Sequence, residues 1–523
     1  MRRLLALVLL AVAFAAGFLW LRRDPASAGP RPLVVIGIDG GEWKVIRRLW
    51  EEGKLPHLEE IAERGVSGTL RTAYNSSPVI WTTIATGVRP PEHGITDFVV
   101  PTPKGDVPIS SDVRKVPALW NMLSKVGRRV AVLGWWGSWP AEEVNGVVVT
   151  DRALLDLGRR VSPSSYLPRF LEDLQEARES PGLFRAEDEA ELRDAVITNS
   201  AVRLAGEKHD LLLAYFRSPD IVSHNFWKYF EPEAFQSVDP RDLEAYRGRV
   251  PQVYEAVDQA IGRILDAAPR RVNVLVLSDH GFHAARKEEV KILLDMDTVL
   301  ERLGYLARSG GAIDFTRSRV YTYGTPSFRR AKFLRFVQTG REPGGTVRPE
   351  EREALRRRLA ADLAAVTYET GAPVFHVRDA RPQEARQGAD FVAGVSPDGA
   401  TRALRVRGER FDGAISDISR ISGTHTTTTH GVFFAAGPDI DPDAEIEGIH
   451  IHDMAPTILY GLGLPVAESF AGRAWTELYS EDFRAAHPLR KIRSWGARRG
   501  GSARTSAADE KLLEELRALG YIN

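Results

Sequence analysis

The chain has 523 residues, with 70 lysines and arginines against 70 aspartates and glutamates, and no cysteine. Balanced charge gives no ground for a nucleic-acid or other polyanionic partner, and the lack of cysteine excludes disulfides, thiolate metal ligands and a thiol nucleophile. Such a length holds one large α/β domain with insertions or roughly two to three smaller ones, and nothing in it sets an oligomeric state.

The first element is Leu4 to Leu21, an uncharged apolar run between Arg2-Arg3 and Arg22-Arg23. At about 1.5 Å per residue it covers most of a bilayer, which predicts an N-terminal transmembrane signal-anchor. Ala26-Ser27-Ala28 is the rival reading, a signal-peptide cleavage site, but it lies well beyond the apolar run. A short amino terminus ahead of such a segment places the rest of the chain outside the cytoplasm, periplasmic or extracellular, with the membrane as a partner.

Beyond a linker rich in Pro, Ala and Gly, Leu33 to Ile38 is a continuous apolar run, as expected for a parallel strand buried on both faces. It ends in Asp39-Gly40-Gly41, where Asp39 either caps the next helix or faces the ligand-binding edge of an α/β sheet. A helix around Pro56 to Arg64 follows. Asn75 to Gly87 then reads as a helix with Ser77 as its cap and Pro78 as its first residue, a place suited to anions. Further strands are expected at Val130 to Trp135, Asp210 to Phe216 and Val272 to Leu277. The second of these runs into Asp220 and His224, which share one helical face at a spacing of four. The third runs into Asp279-His280-Gly281. The charged stretch from Ser162 to Glu207 reads as a surface excursion plus one packed helix.

From Glu288 to Ser419 the pattern is irregular and suggests an inserted subdomain. Regular alternation resumes at Gly423-Thr424-His425, with four threonines leading to His430-Gly431 and a strand to Ala436. His452-Asp453-Met454-Ala455-Pro456-Thr457 opens another helix, and the last stretch is basic and then amphipathic. The expected fold class is therefore α/β, a mostly parallel central sheet with helices on both faces.

Asp39, Asp220, His224, Asp279, His280 and either His425 or His430 supply carboxylate and imidazole without thiolate, a set that suits catalytic zinc, with manganese or iron as alternatives. Joined to Ser77, Trp81-Thr82, Ala85-Thr86-Gly87 and Pro91-Glu92-His93-Gly94-Ile95, this ordered set resembles the alkaline phosphatase superfamily, in its type I phosphodiesterase/nucleotide pyrophosphatase-like branch. The resemblance runs from about Leu33 to Trp475. It implies an alkaline phosphatase-like fold and two divalent metal ions. One would be held by Asp39, Ser77, Asp279 and His280, the other by Asp220, His224 and His425, with His430 as rival to His425. It further implies Ser77 as nucleophile, a phosphoserine intermediate and a small phosphate ester as substrate. Relatives mostly carry threonine at the Ser77 position, and an asparagine common in nucleotide pyrophosphatases falls at Ile80.

Within that reading the chain divides into an anchor and linker (1–30), the first part of a catalytic core (31–287), an insertion (288–419), the last part of the core (420–480) and a C-terminal tail (481–523). Sulfatase chemistry is disfavoured, because Ser76-Ser77-Pro78-Val79 leads to Ile80 where a C/S-x-P-x-R pattern needs arginine. The remaining alternatives are a phosphomonoesterase or phospho-group transferase of the same fold, or a membrane-tethered binding module with a degenerate site.

Overall fold

A computed structural model describes residues 29–523 apart from 103–104, 156, 237, 324–330, 387, 398–399, 519–520 and 523. The predicted anchor, Leu4 to Leu21, lies outside the described residues. Among those described, no helix is long and apolar enough to cross a membrane.

Eight strands form the central sheet: β1 (Leu33–Ile38), β2 (Gly65–Leu70), β3 (Val130–Leu133), β4 (Gly146–Val149), β5 (Val161–Ser162), β6 (Leu211–Phe216), β7 (Asn273–Ser278) and β8 (Gly431–Ala436). Their order is β2-β8-β7-β1-β6-β3-β4-β5. The run from β7 to β4 is parallel, while β8 and β5 run against their neighbours. The α/β fold with a large, mixed and mostly parallel sheet is thus present.

Side-chain alternation explains the unbroken apolar runs. In β1, Val34, Ile36 and Ile38 enter one hydrophobic cluster and Leu33 and Val35 the other. In β6, Leu212, Ala214 and Phe216 take the first side and Leu211, Leu213 and Tyr215 the second. The first face is covered by helices that include Trp43–Glu51, Glu189–Ala205 and Arg249–Ala267, and the second by Ser77–Thr86, Leu119–Lys125 and Met454–Gly461. With both faces covered, neither side chain of a residue pair can afford polarity, so period-two patterning vanishes.

Between Leu294 and Ile415 a separate apolar cluster is built on a four-stranded antiparallel sheet. The chain leaves the core along His283–Leu294 and returns along Ile415–Thr424, two strands paired antiparallel with His283 opposite Thr424. That ribbon brings the residue after Thr424 back to the end of β7.

The helix Ser77–Thr86 is buried along its whole length. The motif Pro91-Glu92-His93-Gly94 braces it. His93 accepts the Ile95 N–H at Nδ1 (3.1 Å), and its Nε2 meets the Thr83 hydroxyl (3.1 Å), which in turn donates to the Val79 carbonyl (2.8 Å). Nδ1 accepts, so the ring is neutral with its proton on Nε2. Burial, with Arg114 and His452 adding to it, pushes the His93 pKa down to about 3. An unfolded chain therefore binds a proton at His93 that the folded protein refuses, and its stabilising effect fades as pH falls below the ordinary histidine value. Between about pH 7.5 and pH 5, the stability advantage of wild type over His93→Gln should shrink by about 2 kcal/mol, as read from urea midpoints.

Candidate functional site

The carboxyl ends of β1, β6 and β7 lie along one edge of the sheet, joined there by the start of the antiparallel β8. Asp39 directly follows β1, and its backbone N–H donates to the Phe216 carbonyl of the next strand (2.9 Å). Gly40 turns the chain with φ +71°, a left-handed value that favours glycine. Its N–H donates to Asp279 Oδ1 (3.2 Å), and the Gly41 N–H donates to Ser278 Oγ (2.7 Å), whose hydroxyl donates to the His280 carbonyl (2.7 Å). The loops after β1 and β7 are thereby tied together. Asp39 does not cap the following helix: Glu42 does, accepting from the Lys44 N–H, while its other oxygen accepts from the Phe282 N–H. That leaves the Asp39 side chain without a capping role.

Asp220 and His224 stand one turn apart on the helix Ser218–Phe230, whose start is held by the Asp194 carboxylate through the N–H groups of Arg217 (3.1 Å) and Ser218 (2.7 Å). Burial pushes the Asp194 carboxyl up to about 6. The returning strand Ile415–Thr424 packs directly on this helix at Gly423, where a Cβ would collide with the Ser223 carbonyl. That close approach lets His224 Nδ1 donate to the Gly423 carbonyl (2.9 Å), which turns Nε2 toward Asp220 Oδ1 (3.3 Å). His425, two residues on, stacks on His280 with ring centroids 3.5 Å apart and planes within 6°.

The predicted residues therefore meet. Ligand-type atoms of Asp39, Asp279 and His280 lie within 4.8 Å of one another, as do those of Asp220, His280 and His425. His280 Nε2 is 3.4 Å from Asp39 Oδ1, 3.4 Å from Asp279 Oδ2 and 3.8 Å from Asp220 Oδ1. His430 is elsewhere: its Nδ1 accepts the Thr72 N–H (3.3 Å), and Thr426 to Thr429 form the turn that separates it from His425. The Ser77 hydroxyl donates to Asp39 Oδ1 (3.3 Å).

One expectation about Ser77 is corrected. The helix cap is Ser76, and Ser77 is the first helical residue. Pro78 has no N–H to offer a cap, and the Val79 and Ile80 N–H groups both bond the Ser76 carbonyl (3.0 Å each). The Ser77 side chain is consequently released from capping and turned toward Asp39, and the helix end has fewer free donors for an anion than a Ser77 cap would leave. Ile80 is fully buried in the apolar cluster on that face, so this position serves packing.

Electrostatically the cluster is costly. Asp39, Asp220 and Asp279 are 0–1% exposed, and among the described residues their ion-pair partners are histidines. Burial, then the neighbouring Asp220, pushes the Asp39 pKa up; burial, then Asp39, pushes Asp279 well up; burial pushes His280 down. Asp220 Oδ1, His224 Nε2, Asp279 Oδ2 and His280 Nε2 are buried and make no hydrogen bond. Buried polar atoms are seldom left so, and this donor set is one that a divalent cation would satisfy.

A family model for type I phosphodiesterase/nucleotide pyrophosphatase matches residues 33–432. The chain belongs to the type I phosphodiesterase/nucleotide pyrophosphatase family. This places it among phosphoester hydrolases of the alkaline phosphatase superfamily, as the ordered motifs suggested. Solved structures similar to this family member include murine ectonucleotide pyrophosphatase/phosphodiesterase 5 (15% identity, TM-score 0.45, covering 86% of this chain and 100% of that one). The human counterpart matches at 13% identity and TM-score 0.45 over the same shares. Phosphonoacetate hydrolase from Sinorhizobium meliloti 1021, in complex with phosphonoformate, matches at 15% identity and TM-score 0.43, covering 83% of this chain and 95% of that one. No curated protein sequence matches the chain.

Sequence reasoning missed Ser278, Asp194 and two phenols. Tyr215 donates to Asp39 Oδ2 and Tyr521 to Asp220 Oδ2. Tyr215 is visible in the sequence as the one polar-tipped residue of an apolar strand, whereas nothing local marks Tyr521. Ser278→Ala would leave the Gly41 N–H unpaired in a fully buried position and should cost about 1–3 kcal/mol in unfolding free energy by denaturant titration.

Proposed function

We propose that the protein is a metal-dependent phosphodiesterase acting through a phosphoserine at Ser77. Two divalent ions would be held by Asp39, Ser77, Asp279 and His280 on one side and by Asp220, His224 and His425 on the other. The observation that carries this reading is the Ser77 hydroxyl on Asp39, inside a buried cluster where Asp220 Oδ1, His224 Nε2, Asp279 Oδ2 and His280 Nε2 make no hydrogen bond. Family membership supports the phosphoester-hydrolase class. Imidazole and carboxylate without thiolate fit zinc, and manganese or iron can use the same donors.

Bound divalent ions would supply the positive charge that lowers the serine pKa and offsets the charge of the phosphoryl oxygens. The chain's own groups do the rest. Asp39 Oδ1 holds the Ser77 proton and thereby aims Oγ; Tyr215 fixes the other Asp39 oxygen. The Ser77 Oγ–P bond forms as the P–O bond to the leaving alcohol breaks, and the alcohol leaves carrying a proton. Water then cleaves Oγ–P, releasing the phosphate monoester and restoring the hydroxyl. The hydrogen bonds from His224 Nδ1 to Gly423 and from His280 Nδ1 to Gly281 (3.1 Å) keep each Nε2 unprotonated and facing the cluster. The apolar run Leu4 to Leu21 supports the further reading that this site is tethered to a membrane.

The protein should contain divalent metal and hydrolyse bis-p-nitrophenyl phosphate faster than p-nitrophenyl phosphate. Cleavage of the monoester alone would contradict the phosphodiesterase reading, and absence of both metal and turnover would sink the enzyme reading. Ser77→Ala should lower kcat at least about a thousandfold while metal content is kept. Retained turnover would move the nucleophile to Ser76, whose buried hydroxyl makes no hydrogen bond.

A further inference from the structure

The last residues of the chain are not an appendage. From Arg498 onward the tail is tied across the core: the Arg498 N–H donates to the Lys115 carbonyl (2.8 Å), the Arg504 N–H donates to Ser110 Oγ (3.0 Å), and the Arg504 guanidinium pairs with Asp112 (2.7 Å). The helix Asp509–Ala518 follows, and the Tyr521 and Ile522 N–H groups turn back to the Leu516 carbonyl. Tyr521 and Ile522 are each 2% exposed, packed with Leu516, Phe98 and Val99. The Tyr521 ring stacks on Phe98 (4.6 Å between centroids, 8° between planes) and meets His224 edge-on at 5.7 Å. Its hydroxyl reaches Asp220 Oδ2.

A correspondence follows from the two aspartates. In Asp39, Oδ2 takes the Tyr215 hydroxyl while Oδ1 faces Ser77 and His280. In Asp220, Oδ2 takes the Tyr521 hydroxyl while Oδ1 makes no hydrogen bond and faces His224 and His280. Each carboxylate thus has one oxygen pinned by a phenol and the other turned to the cluster. The two phenols are linked through aromatic rings: Trp136 Nε1 donates to the Tyr215 oxygen (2.6 Å), and Phe98 packs on both Trp136 (5.6 Å) and Tyr521.

We propose that Tyr521, delivered by the C-terminal tail, is a positioning residue that orients Asp220 for cation binding, so that the tail completes one half of the site. The inference rests on the two-ion reading above. A free carboxylate rotates between monodentate and bidentate postures; a phenol on Oδ2 fixes the plane of the group and leaves Oδ1 as the oxygen presented to a cation, which lowers the entropy cost of choosing that posture. Partners of this kind, one bond removed from the ligand atom, are worth roughly 10- to 100-fold in metal affinity. The ring itself, by filling the space beside Phe98 and His224, also keeps bulk water from the Asp220 side.

The test is zinc titration of the full-length protein against a chromophoric chelator, comparing wild type with Tyr521→Phe, which keeps the stacked ring and removes only the hydroxyl. We expect one of two zinc ions to bind about tenfold or more weakly, and turnover lost at limiting zinc to return in excess zinc. Tyr215→Phe should likewise weaken one ion, and the double variant both. Two zinc ions bound by Tyr521→Phe with wild-type affinity would overturn the inference while leaving the two-ion reading intact, even if the melting temperature fell. Higher turnover on deletion of residues 506–523, with zinc affinity unchanged, would also overturn it, making the tail an inhibitory plug. Wild-type protein that takes up no zinc would fail the two-ion reading itself, and with it this one.

Discussion

Three carboxylates, Asp39, Asp220 and Asp279, are held almost without solvent around a single imidazole, His280. Like charges this close repel strongly in a medium of low dielectric, and each also loses its hydration. Proteins tolerate such a group when something offsets it: against its burial, His224 and His280 hold the Asp220 pKa down, whereas hydrogen bonds from Gly40, Tyr215 and Ser77 offset only part of the cost at Asp39 and Asp279, whose pKa values stay raised. The remaining imbalance is a physical ground, beside resemblance, for the proposal that the cluster binds cations. Much of the surrounding structure can be understood as the scaffold that holds the unfavourable arrangement in place.

That scaffold uses the sheet edge. Parallel strands end on one side, so β1, β6 and β7 deliver their following residues to the same line. Two long-range devices complete it. The ribbon of His283–Leu294 with Ile415–Thr424 returns His425 to His280 from the separate cluster between Leu294 and Ile415, and glycine at 423 permits the contact that orients His224. The tail returns Tyr521 to Asp220 over a separation of 301 residues. Ser77 arrives by a third route, at the start of a helix so enclosed that its neighbours Ile80, Trp81 and Ile84 are core residues.

Legibility in the sequence followed burial only in part, since β4, with Val147, Val148 and Val149 buried, is not among the expected strands. β1, β6, β7 and β8 were readable because both faces are covered and the runs are mainly apolar; the observed bounds differ from the expected ones by at most a residue at either end. β2, Gly65-Val66-Ser67-Gly68-Thr69-Leu70, escaped notice because it is an edge strand with only Val66 and Leu70 buried. The excursion from Ser162 to Glu207 holds two helices, and the second buries even Glu191 and Asp194, so its charge pattern concealed its role. Asp39, Ser77, Asp220, His224, Asp279 and His280 could be named because each follows a strand or opens a helix that the pattern revealed. Tyr521 could not, since its importance comes from a tertiary contact with no local signature. Nor could the local pattern choose between Ser76 and Ser77 as cap, since both are small hydroxyl residues just ahead of Pro78.

The central claim is that this cluster is a two-cation site built around Ser77. Crystals of the protein loaded with zinc, measured on both sides of the zinc absorption edge, test it directly. The account predicts two anomalous peaks per chain, one against Asp39, Ser77, Asp279 and His280 and one against Asp220, His224 and His425. Zinc peaks confined to other residues, or none at all in protein that turns over phosphodiesters, would contradict it.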